Sequence, residues 1–253
     1  PGIREQSLYI ENLKTFLMIE NEKEGTCKLE SGMHEITLKN VHFHYSANVA
    51  REVTNGINLH IEKGEKIAFV GENGAGKTTA SFTILPEMLK CKEFVNSDEI
   101  AKGLSPFNSD SIAVAVEASR IMYKRIKELI ASGETFAMET TLATRSGANL
   151  IREAQREGYY VTLLYFWLNT PDLAVERVKM RVAAGGHNIP ESTIRRRYEA
   201  GIHNLFELYI PICDYWMIAD NSMSPMEVIA KGFRSDKKEI YNSDIYTKLE
   251  HHE

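Results

Sequence analysis

The sequence lacks any apolar run approaching the roughly 18 residues that a membrane-spanning helix needs. Its best candidate, residues 161–168, is of strand length, so no membrane span is expected. Cysteine is scarce: Cys27, Cys91 and Cys213 form no CxxC pair. An odd, scattered set fits reduced thiols in a cytoplasmic protein and argues against a disulfide framework. An excess of basic residues is also absent. Lys plus Arg number 30 against 35 Asp plus Glu, a formal net charge of -5, so there is no electrostatic ground for wholesale nucleic-acid binding. Internal repeats and low-complexity tracts are missing. The chain opens at Pro1 without a methionine or a basic-then-apolar export signal, which reads as a fragment or processed piece of a longer product. What remains is ordinary globular composition. Hydrophobic residues at 43% over 253 positions suffice for one large core or two modest ones.

Within residues 7–20, Leu8, Leu13, Phe16 and Leu17 fall at roughly helical spacing, ahead of a charged stretch that ends at Gly25. Residues 35–45 alternate, with Ile36, Leu38, Val41, Phe43 and Tyr45 as the apolar set, and residues 56–60 begin a second strand-like stretch. Together they predict a small antiparallel β arm. The character changes at Lys66, where residues 67–70 form a short apolar run of the kind buried on both faces of a parallel sheet. Further strand candidates at 93–96, 135–138, 161–168 and 215–219 alternate with helices at 111–132, closed by Gly133, and 146–157, closed by Gly158. Another helix begins with Thr170 as N-cap and Pro171 at its first position.

Gly71, Glu72, Asn73, Gly74, Ala75, Gly76, Lys77 and Thr78 satisfy GxxxxGK[ST], directly after one strand and before a helical segment. Glycines let such a loop curl so that backbone N–H groups point inward, and the next helix adds its N-terminal partial charge for the phosphates. With Thr79 completing the loop, Lys77 is expected to reach the outer phosphates of ATP and the Thr78 hydroxyl to ligate Mg2+. The alternation and the loop predict an α/β P-loop NTPase: a parallel five-stranded sheet with helices on both faces, preceded by the antiparallel arm. The expected division is an arm at 1–65, the P-loop domain at 66–231 and a polar tail at 232–253.

Two resemblances meet at this loop. From about residue 3 to residue 79 the chain resembles the start of an ABC exporter ATP-binding domain, through ITLKNVHFHY and GINLHIEKGEKIAFVGENGAGKTT. That likeness implies Tyr45 as the adenine-stacking aromatic. The Q-loop glutamine, the LSGGQ-like signature and the strand ending in Asp-Glu that such ATPases need are absent downstream. From Gly71 to about Ser222 the chain instead resembles the zeta toxin-like P-loop kinases, a family that includes kinases of UDP-N-acetylglucosamine. The carriers are GAGKTTASFTILPEM, FVNSDEIAKGLSP, FAMETTLATRS, VTLLYFWLNTPDLAVERVKMRV, GGHNIPESTIRRRY and IADNS, spread over about 150 residues.

Asp98 lies just past a strand, at the carboxyl edge where ligands of such sheets bind. A carboxylate there suits either a general base for an attacking hydroxyl or a cap on the following helix. The resemblance implies the base. It also implies that Glu139 and Thr141 hold the substrate, although the family's Glu-Gly-Thr reads Glu139, Thr140, Thr141 here and the nearest arginine is Arg145. Residues 176–197 carry Arg177, Lys179, Arg181, Arg195, Arg196 and Arg197 against Glu176 and Glu191, a local +4. Arginines that close over a moving phosphoryl group stabilise its charge, and Gly185 and Gly186 could supply a hinge. By resemblance Arg181 and one of Arg195 to Arg197 are these lid residues, with Arg195 taken as the representative. The Asn221 region resembles the adenine-side loop. His42 and His44 share a strand face without further ligands and read as a polar surface.

The leading expectation is a cytoplasmic kinase that uses ATP and Mg2+, takes a nucleotide sugar as small-molecule substrate and has an antitoxin protein as candidate partner. The alternatives are an ABC transporter ATPase fragment and a nucleotide-binding module without catalysis.

Overall fold

A computed structural model describes residues 36–44, 52–61, 65–71, 75, 93–105, 111–183, 188–223, 226–234 and 237–251, those from 36 to 71 by backbone alone. All lie within the compact unit His34–Glu253. The alternating arm forms β1 (Ile36–His44) and β2 (Glu52–Ile61), an antiparallel pair that runs from Ile36 opposite Ile61 to His44 opposite Glu52. These two strands make a sheet of their own. Tyr45 and the helical pattern at 7–20 lie outside the described residues.

The apolar run before the P-loop is β3 (Glu65–Gly71). The larger sheet adds β4 (Glu93–Val95), β5 (Phe136–Thr140), β6 (Tyr160–Trp167), β7 (Tyr215–Asp220), β8 (Glu227–Phe233) and β9 (Lys238–Ile240). Across the sheet the order is β4-β5-β3-β6-β7-β8-β9. Neighbours from β4 to β7 pair parallel, whereas β7–β8 and β8–β9 pair antiparallel. The expected five-stranded parallel sheet is therefore corrected to a seven-stranded mixed one. The two added strands have weak sequence signals because they lie toward one edge: β9 is exposed throughout, and β8 buries only Ile229, Ala230 and Gly232. At the centre, by contrast, every residue of β6 from Val161 to Trp167 is buried between β3 and β7.

Between the strands run α1 (Ser97–Leu104), α2 (Ile112–Ser132), α3 (Ser146–Arg156), α4 (Pro171–Ala183) and α5 (Glu191–Asn204), the last continuing as a π-helical turn, Leu205–Tyr209. Local chemistry sets their ends. Ser111 Oγ accepts from the Val114 N–H at 3.3 Å, and Gly133, at φ 71°, takes the left-handed position that closes α2. Thr170 Oγ1 accepts from the Leu173 N–H at 3.1 Å at the start of α4. The stretch expected to be a polar tail contributes β9 and α6 (Ser243–Glu250), which buries Tyr246 and Leu249. Among the described residues no helix is long and apolar enough to cross a membrane.

The order positions the site. The chain steps from β3 past β5 to β4, returns through β5, then passes β3 to β6 and β7. Strand order thus reverses at β3, and ligands of open α/β sheets bind beyond the carboxyl ends at such a reversal.

Candidate functional site

The strand beside the P-loop strand in the sheet, β5, supplies the first acid. Parallel pairing sets Phe69 beside Glu139 and Val70 beside Thr140, so the end of β5 lies next to the end of β3, where the phosphate loop begins. The next strand outward, β4, delivers Asn96 and then Asp98 in the first turn of α1. Asn96 is the N-cap of that helix: its Oδ1 accepts from the Asp98 N–H at 2.8 Å. The capping alternative weighed for Asp98 is therefore met by Asn96, and the Asp98 side chain is left to line a cavity. The other end of the same amide donates from Nδ2 to Glu139 Oε2, also at 2.8 Å. With Asn96 only 6% exposed, one buried amide links the backbone of one site acid to the carboxylate of the other.

Asp98, Glu139, Thr141, Arg181, Arg196 and Arg197 line one cavity of about 300 Å³. Three cations thus face two carboxylates. Burial pulls the Arg197 guanidinium below its ordinary value, Asp98 acts in the opposite direction, and the adjacent Arg196 adds to the fall. Through Ser119, Tyr123, Ser146, Arg196 and Arg197 the cavity shares its wall with a wider groove of about 1270 Å³ along α2.

Arg195 is placed elsewhere. Its Nη2 donates to Asp172 Oδ1 at 2.6 Å and to Glu191 Oε1 at 2.7 Å, and it is absent from the cavity wall. This exposed ion pair joins the first turns of α4 and α5, and the Arg195 contact holds the Glu191 carboxyl below its usual range. The basic cluster therefore divides. Arg177 donates to the Ser222 carbonyl at 3.0 Å, Lys179 pairs with Glu191 at 3.7 Å, and Arg181, Arg196 and Arg197 turn to the cavity. Helical geometry accounts for the split, because three successive residues point about 100° apart.

α5 is fixed to the sheet beneath. Tyr198 OH donates to the Leu168 carbonyl at 2.6 Å and accepts from Trp167 Nε1 at 3.1 Å, joining the helix that carries the arginines to the end of β6. Beyond β7, Asn221 Nδ2 donates to the Ala75 carbonyl at 2.7 Å, and Ala75 is fully buried. The loop after the fifth parallel strand thus holds the P-loop by its backbone. Of the loop residues expected to bind ATP, Gly71 ends β3 and Ala75 is described, whereas Glu72, Asn73, Gly74, Gly76, Lys77, Thr78 and Thr79 lie outside the described residues, as do Gly185 and Gly186.

Asn96 is the residue that sequence reasoning passed over. A signal existed: an Asn directly after a strand and two residues ahead of an acid is a capping pattern. Its second bond, to an acid 43 residues away, had none. Among the described residues no group of three or more His, Cys, Asp or Glu could hold a metal ion.

This strand order and cavity define an α/β fold of the P-loop kinase kind. The zeta toxin family matches residues 51–222, and the chain belongs to that family. An uncharacterized protein of Haemophilus influenzae is 32% identical over 143 residues, 55% of this chain and 96% of its own length. The leukotoxin translocation ATP-binding protein LktB of Mannheimia glucosida is 29% identical over 143 residues, 54% of this chain, and the match spans only 20% of that protein. Among solved structures, the AvrRxo1-ORF1:AvrRxo1-ORF2 complex aligns with TM-score 0.59 at 16% identity, over 74% of this chain and 63% of that one. The PezAT chromosomal toxin-antitoxin system of Streptococcus pneumoniae aligns with TM-score 0.55 at 17% identity, over 73% and 76%.

Proposed function

We propose that the protein is an ATP-dependent kinase that transfers the γ-phosphoryl group to a hydroxyl of a nucleotide sugar resembling UDP-N-acetylglucosamine. The observation that carries this reading is the cavity beside the end of the P-loop strand, where Asp98 and Glu139 face Arg181, Arg196 and Arg197. In this reading Gly71 to Thr79 hold ATP, with Lys77 on its outer phosphates. Asp98 accepts the proton of the acceptor hydroxyl as the oxygen attacks phosphorus and ADP leaves. Glu139 and Thr141 hold the acceptor. Arg181 and Arg197 stabilise the charge spread over the moving phosphoryl group, Arg197 taking the place given above to Arg195 as the representative of the three successive arginines. The carboxylates of Asp98 and Glu139 are oxygen donors of the kind Mg2+ takes; with the Thr78 hydroxyl that the P-loop motif assigns to the ion, they would hold Mg2+, which would neutralise phosphate charge there.

The sizes agree with such an acceptor. A cavity of about 300 Å³ accommodates a sugar, and the adjoining groove, with Arg120, Lys124 and Lys127 beside Tyr123, offers room and charge for the remainder. The unit proposed to act runs from residue 66 through α6, because β8, β9 and α6 are built onto the same sheet. A solved neighbour of this fold is a complex with ATP, and others are two-component complexes, which supports ATP as donor and an antitoxin-like protein as partner. Such substrates imply action in the cytoplasm. The test is to incubate the protein with ATP, Mg2+ and a panel of nucleotide sugars and read the products by mass spectrometry. A phosphorylated sugar nucleotide is expected; ATP loss with every sugar unmodified would refute the kinase reading and favour an ATPase.

A further inference from the structure

The loop that follows Glu139 has an unusual backbone. Leu142 is the one non-glycine residue at positive φ among the described residues, at 55°, and its side chain is 1% exposed. An L-residue held left-handed is strained, because its Cβ crowds the following carbonyl, so neighbouring contacts must impose the turn. One is local: Thr140 Oγ1 accepts from the Leu142 N–H at 3.3 Å. Two come from far along the chain. Asn204 Nδ2 donates to the Leu142 carbonyl at 2.7 Å, and Tyr209 OH donates to the Thr144 carbonyl at 2.7 Å.

Asn204 and Tyr209 lie five residues apart, which in a regular α-helix would turn their side chains about 140° away from each other. The wider π-helical turn of Leu205–Tyr209, closed by the Ile210 N–H on the Leu205 carbonyl at 2.9 Å, brings both to the same loop. The approach is close on the loop side too. A Cβ at Gly147 would lie 2.7 Å from the Tyr209 hydroxyl oxygen but 3.4 Å from the nearest ring carbons, so the glycine makes room for that hydroxyl alone.

We infer that the π-helical turn is a positioning device for the acceptor, in which Asn204 and Tyr209 hold the carbonyls of Leu142 and Thr144 and so fix the loop that presents Thr141. The inference rests on the kinase reading for what Thr141 does. The same continuous helix carries Arg196 and Arg197, so the acceptor loop and the phosphate-facing cations are set by one rigid frame. Burial pushes the Tyr209 hydroxyl up to about 12, which keeps it a donor well into the alkaline range.

The test compares Tyr209→Phe, Gly147→Ala and the double variant. Three quantities are measured: KM and kcat with UDP-N-acetylglucosamine as acceptor probe, ATP affinity by calorimetry, and amide exchange of residues 141–147. Each single variant should raise the acceptor KM about tenfold and speed exchange in that loop, with ATP affinity within about twofold of wild type. The double variant should be no worse than Tyr209→Phe alone, because removing the hydroxyl also removes what the added methyl strikes. Unchanged loop exchange, an equal loss in ATP affinity, or additive single effects would overturn the inference. If the wild type phosphorylates no sugar on the panel, the kinase reading fails, and the exchange rates of the three variants alone decide for or against the positioning device.

Discussion

Replacing Asn96 with Asp isolates one bond at the centre of the site. The substitution keeps the cap, since an Asp oxygen accepts from the Asp98 N–H as well as an Asn oxygen does. It replaces the donor 2.8 Å from Glu139 Oε2 with a second carboxylate oxygen. The lost hydrogen bond to an ionised group is worth about 1.5–3 kcal/mol. Two unit charges about 3 Å apart at an effective dielectric near 20 repel by about 5 kcal/mol, which sets the ceiling on the added repulsion. Asn96→Asp is therefore expected to lower unfolding free energy by about 2–5 kcal/mol at pH 8 and to weaken acceptor binding tenfold or more. The deficit should shrink as the pH falls, because one carboxyl of the introduced pair takes up a proton and can donate as the amide did. Denaturant titrations of variant and wild type at pH 8 and pH 5, with acceptor kinetics at both, give the comparison. A pH 8 stability and KM equal to wild type would refute the claim that this amide sets Glu139, as would a deficit independent of pH. Asn96→Ala, which loses the cap as well, should be impaired at both pH values.

In the proposed reading the arginines separate by function. Arg197→Met should lower turnover about 100-fold or more, whereas Arg195→Ala, which breaks only two exposed ion pairs, should stay within about threefold; steady-state kinetics with equal losses would reject the assignment. Tyr209 and Cys213 both have ionisation pushed up by burial, Tyr209 to about 12. Their raised folded values favour the neutral forms, so the stability is fully present below the unfolded values near 9 and 10. It should be lost as pH rises toward 12, at about 1.4 kcal/mol per pH unit from Tyr209. Tyr209→Phe should flatten that alkaline slope in denaturant titrations, and an identical slope would count against it. Ending the chain at Arg234 strips β9 and α6 from the molecule, and the lost burial of Tyr246 and Leu249 should cost roughly 3–6 kcal/mol, read as a fall in unfolding free energy. A truncated chain as stable as the intact one would show that these elements are ornamental.

The parts of the fold legible in the sequence are those where a local pattern and the tertiary structure ask for the same thing. Ser111 and Gly133 bound α2, Thr170 and Pro171 open α4, and the apolar run through β6 is buried from Val161 to Trp167. β8, β9 and α6 escaped because a strand near a sheet edge, or a short helix with two inward residues, needs few apolar positions. The same contrast holds at the site. Asp98, Glu139 and Arg181 were visible as residue types in motifs, and the cavity collects all three. Which of Arg195, Arg196 and Arg197 turns inward depends on helix phase against the sheet, a quantity fixed by Tyr198 on Trp167 and Leu168 rather than by the arginines. The bonds from Asn96 to Glu139 and from Asn204 to Leu142 span 43 and 62 residues, and no local spacing rule reaches that far.

The two outermost strands of the large sheet, β4 and β9, are three residues each. A strand of that length offers a neighbouring chain only a rung or two of free backbone hydrogen bonds, and charge sits on both, with Glu93 on one and Lys238 and Glu239 on the other. Sheet-to-sheet polymerisation between copies is thereby discouraged at either margin. Within this sheet the long apolar strands β6 and β7 lie between paired neighbours, so at its two margins the large sheet presents no extended apolar strand to a second copy.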